Sequence, residues 1–64
     1  MVSDARRKKI AERIIVLENI LQRDPSSDRR EQIELELARI PERFRLDLED
    51  LLEIDEMVQK KLGR

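Results

Sequence analysis

The chain has 64 residues, 14 Lys or Arg against 15 Asp or Glu, and no His, Cys, Trp or Tyr. The missing His and Cys remove the near-neutral acid/base side chain, the thiolate nucleophile and the nitrogen and sulfur ligands for transition metals, so no catalytic, cofactor-binding or metal-binding residue is assigned. A net charge of −1 and a single aromatic residue, Phe44, argue against nucleic acid, and no apolar run approaches the roughly 20 residues of a membrane span, so the chain reads as soluble and, by default, cytoplasmic.

The first segment carries Ile10, Ile14, Leu17 and Leu21 on one helical stripe, which predicts a helix over about 3–23. Its first turns hold Arg6, Arg7, Lys8 and Lys9, where the helix dipole disfavours positive charge. Two readings follow for this cluster. It offers a patch for an acidic partner, or it lies beside Glu42 and Asp47 of a parallel third helix, the reading favoured here.

Asp24-Pro25 ends the first helix. Either Asp24 caps the second with Pro25 at its first position, or Asp28 caps it with Glu31 three residues later. The second helix, about 25–40, shows Ile33, Leu37 and Ile40 on its face, and Pro41 is expected to close it because the residue before a proline is pushed away from helical geometry. The alternation Ile33-Glu34-Leu35-Glu36-Leu37 also fits a strand, but strong helix formers flank it and no partner strand exists.

A third helix over about 42–62 is predicted from Phe44, Leu48, Leu51, Val58 and Leu62, with Leu52 and Ile54 widening the stripe and Gly63 following the helix end. Asp55 continues this stripe, so it is expected in the core, paired with Arg29 or Arg30 at the start of the second helix. The acids Glu49, Asp50, Glu53, Asp55 and Glu56 read as a solvated face, because a helical comb of carboxylates lacks the glycine-containing loop that wraps a calcium ion.

Short connections make neighbouring helices antiparallel, giving an all-α, up-down-up three-helix bundle in one domain; the alternative is a helical hairpin that forms a dimeric bundle. Ile15, Leu35, Leu46 and Met57 fall away from the stripes. They are either isolated surface hydrophobes or a surface for a partner protein or a second copy, with Leu46 and Met57 expected on one side of the third helix.

Regular stripes, proline-marked short connections and near-balanced charge give the chain a style that resembles de novo designed three-helix mini-proteins. The resemblance implies a non-enzymatic scaffold or mini-binder acting through protein–protein contacts, with no small-molecule substrate. The basic start of the first helix, Asp55 and the lack of loop glycine depart from that style and suit a natural helical adaptor or regulator, for example phage or bacterial, that self-associates or binds a partner.

Overall fold

The computed structural model describes residues 2–63, which form three helices in an up-down-up bundle: α1 (Asp4–Gln22), α2 (Ser27–Arg43) and α3 (Leu48–Lys61). All three helices pack within one chain, which is the three-helix arrangement rather than the hairpin. Helix α1 is the central element, packed against both others, while α2 and α3 scarcely touch. Residues 33–37, which alternate like a strand, lie within α2. None of these helices is long and apolar enough to cross a membrane.

Each helix starts on a side-chain cap. Ser3 accepts the Arg6 N–H at 3.3 Å at the head of α1. At α2 neither expected cap is used: Ser26 accepts the Arg29 N–H at 3.4 Å, and Asp24 instead takes up a left-handed conformation (φ 56°) just past the end of α1. An aspartate tolerates that conformation better than most residues. The following Pro25 has no N–H with which to add a second closing bond.

The junction of α2 and α3 departs most from expectation. Pro41 does not end α2. It sits in the last turn, where its missing N–H removes at most one hydrogen bond, to the Leu37 carbonyl, and the helix continues to Arg43. Phe44 caps it with its ring 5.6 Å from the Arg43 guanidinium carbon. Arg45 is left-handed (φ 52°), and the Leu46 N–H reaches back to the Pro41 carbonyl at 2.9 Å while the Arg45 N–H reaches Glu42 at 3.3 Å. This is a Schellman closure with arginine where glycine is usual. Glu42 therefore lies in the last turn of α2 rather than at the start of α3.

The expected α3 stripe holds at Ile54 and Val58, which are buried, and at Leu51 and Leu62, which are partly buried, but not at its start. The buried stripe is Asp50, Ile54 and Val58 at four-residue spacing. Leu48 and Leu52, expected in the core, are 72% and 63% exposed, and Asp55 is exposed with only a 3.5 Å contact from the Gln59 amide. Asp55 has no pairing with Arg29 or Arg30; Arg30 instead bonds Asp24 at 3.2 Å on the surface. The core consists of Ile10, Ala11, Leu17, Ile33, Ile40, Ile54 and Val58.

Within that apolar interior one polar pair is buried. Arg7 is 5% exposed and Asp50 is 0% exposed. Arg7 Nε and Nη2 donate to Asp50 Oδ1 at 2.9 and 2.7 Å, and Nη1 donates to Asp4 at 3.0 Å and contacts Glu53. Asp50 is also the return arm of a capping box: its Oδ2 accepts the Asp47 N–H at 3.3 Å, and its own N–H donates to Asp47 Oδ1 at 2.8 Å. Of the basic cluster only Arg7 meets acids of α3, while Arg6, Lys8 and Lys9 stay exposed. Those acids are Asp50 and Glu53 rather than Glu42 and Asp47, and two of the acids expected on a solvated face are instead drawn inward.

Hydrogen bonding from Arg7, helped by the Asp47 and Val2 backbone, holds the Asp50 carboxyl below its ordinary range even though burial pushes it up. The same bond to Asp50 raises the Arg7 pKa. A carboxyl depressed in the folded state contributes stability above its ordinary pKa of about 3.9 and loses that contribution as pH falls through its folded value. Chemical denaturation should therefore give constant stability from neutral pH to about pH 5 and a decline below pH 4, shallower in Asp50→Asn. Arg7→Met and Asp50→Asn should each destabilise, and the double variant should be less destabilised than their sum, because each single change strands a buried partner.

Arg45→Gly should raise stability by about 0.5–1 kcal/mol by relieving the left-handed arginine, whereas Leu17→Ala should cost about 2–5 kcal/mol, both read from thermal or urea unfolding.

Candidate protein-docking groove

The placement of α3 along α1 opens a shallow groove on the side of α1 turned away from α2. Its volume is about 720 Å³, and its floor is Ala11 and Ile15 from α1 and Met57 from α3. Ile15 is one turn beyond Ala11 on the helix, and Met57 lies beside the buried Ile54 and Val58 stripe, so all three are continuous with the core. The rim is charged on both sides: Asp4, Lys8 and Glu12 on the α1 wall, Lys60 and Lys61 on the α3 wall.

Two of the four off-stripe hydrophobes are thus brought together, and two are not. Ile15 and Met57 are half-buried in this groove. Leu46 is not on α3 at all; it lies in the α2–α3 connection, half-buried, and lines a different cleft, so its expected pairing with Met57 does not form. Leu35 is 49% exposed on the outer side of α2 among Gln32, Glu36 and Arg39.

The basic cluster is divided in the same way. Arg7 is consumed by the buried pair, while Arg6, Lys8 and Lys9 remain exposed and only Lys8 borders the groove. Arg29 and Arg30 are exposed near the start of α2, remote in role from the buried acid.

Opposite the groove, α1 is clasped to α2 by Arg13, whose Nε and Nη2 donate to the two carboxylate oxygens of Glu36 at 2.8 and 3.1 Å. The bond from Arg13 lowers the Glu36 pKa against a smaller opposing effect of burial. Being partly exposed, this bidentate pair serves orientation more than stability. It holds α2 on the far side of α1 and leaves the α1–α3 groove uncovered.

The exposed Leu48 and Leu52 were missed as surface residues because a helix starting near residue 42 places both on its core stripe. The usable signal was local: Asp47-Leu48-Glu49-Asp50 has the cap residue and the acid three positions later that mark a helix start.

Chemically the groove can bury apolar side chains and orient them through its two charged walls. The search of protein-family models, of curated proteins and of solved structures finds no match to this chain.

Proposed function

We propose that this chain is a non-enzymatic helical module that acts through protein–protein contact, with the α1–α3 groove as its docking surface and an amphipathic helix of a partner protein as the occupant. The observation that carries this reading is the groove's composition: an apolar floor of Ala11, Ile15 and Met57 between a mixed α1 wall of Asp4, Lys8 and Glu12 and a basic α3 wall of Lys60 and Lys61. A helix presenting an apolar stripe buries it on that floor, and unlike walls favour one orientation through charge complementarity. The absence of His and Cys supports a binding role over catalysis.

The designed mini-protein reading is supported by regular short connections and side-chain caps on all three helices. A second reading, a natural adaptor that self-associates, is favoured by two observations. Arg45 and Asp24 are left-handed where design practice uses glycine, and Asp4 and Glu12 on one wall of the groove can meet Lys60 and Lys61 of a second copy related by a two-fold axis.

A fluorescently labelled, 18-residue amphipathic peptide of Leu, Glu and Lys serves as the probe. Fluorescence anisotropy should show saturable binding that is lost in Ile15→Glu and Met57→Glu and kept in Leu35→Glu, with circular dichroism confirming that all three variants stay helical. Binding that survives both groove substitutions overturns the assignment. Light scattering across a hundredfold concentration range separates the two readings: a monomer throughout supports a foreign partner, and a dimer abolished by Ile15→Glu supports a second copy.

A further inference from the structure

Because α2 and α3 both lean on α1 and scarcely meet each other, a second cleft runs between them, over α1. It encloses about 300 Å³, at the lower end of ligand-pocket volumes, and its walls are Ile14, Leu37, Leu46 and Leu51 over the buried Ile54 and Val58. Two lining side chains are charged, Glu18 and Asp55, and both are acidic; no lining side chain is basic.

Glu18 is the unusual member. The residue is half-buried, and its Oε2 is buried with no hydrogen-bond partner. Every other buried carboxylate oxygen described for the core is satisfied, as Asp50 is by Arg7 and Asp47. An unpaired carboxylate oxygen against aliphatic walls loses its hydration without compensation, and the partner that restores most is a cationic donor. The cleft lies between two helices and above a third, the place where a short stretch of a partner helix can rest.

We propose that the α2–α3 cleft is a second docking site, for a partner helix that inserts a single Lys or Arg flanked by aliphatic side chains, the cation pairing with Glu18. The volume admits a short apolar patch around that one basic side chain, not a long helix face. Asp55 at the edge adds a second negative charge that draws the cation in. This site shares no lining residue with the α1–α3 groove, so it stands or falls separately.

A displayed library of single-helix peptides with one randomised face, panned against the Ile15→Glu chain so that the first groove is disabled, tests the proposal. Enriched peptides should carry Lys or Arg three or four residues from Leu, Ile or Met. A synthesised winner should bind the parent chain at least tenfold more tightly than Glu18→Leu or Glu18→Gln, and replacing its basic residue with norleucine should remove that difference. Both Glu18 variants should keep their helicity, with Glu18→Leu no less heat-stable than the parent, since it deletes an unsatisfied oxygen. Failure to enrich any binder, enrichment without a basic residue, or equal binding to the Glu18 variants overturns the proposal. A dimer of the parent chain that dissociates in Glu18→Leu also overturns it, by placing a second copy in the cleft.

Discussion

The fold depends on one guanidinium. Arg7 enters the interior from the first turns of α1, where the dipole and burial both oppose it, and it is tolerated because Asp50, Asp4 and Glu53 converge on it. Asp50 is in turn tolerated because its second oxygen closes the capping box of α3. The two residues are 43 positions apart, so the pair does for tertiary structure what a cap does for a helix end. It specifies which turn of α3 meets which turn of α1. An aliphatic pair at the same place could slide by a turn with little penalty, whereas a slid arginine would leave two buried charges unmatched.

That registration has consequences down the length of α3. With Asp50 inward, Ile54 and Val58 follow at four-residue spacing into the core, and Met57 is carried to the edge of α1 beside Ile15. Leu48 and Leu52 are carried outward by the same rotation. The groove is therefore a by-product of where the ion pair sets the helix, and the Arg13–Glu36 clasp, by holding α2 to the other flank, keeps it open.

Much of this was legible in residue types and spacing. The stripe through Ile10 and Leu17, the stripe through Ile33 and Ile40 and the closing Gly63, with φ 75°, are where periodicity and capping rules put them. The later start of α3 traces to one proline. Pro41 is a sound stop signal in the middle of a chain segment, but in a final turn it removes at most one bond, so α2 runs past it, and the expected α3 stripe keeps Ile54 and Val58 while misplacing Leu48 and Leu52. Asp55, the acid expected in the core, is exposed, and Asp50 occupies the place. A pairing across 43 residues leaves no local trace, because propensity and periodicity report neighbours within a few turns.

The same logic accounts for the second cleft. A three-helix bundle ordinarily closes because each helix contacts both others, but here the polar tie and the Arg13–Glu36 clasp both belong to α1, and nothing comparable joins α2 to α3. Their facing aliphatic residues, Leu37 and Leu51, are left half-buried, and Glu18 between them is left with an oxygen that neither helix answers. The two ties that organise the bundle thus define its incomplete side. In a chain so small, where a hydrophobic core supplies only a few kcal/mol of margin, a partner helix seated there would contribute to the stability of the bundle as well as to recognition.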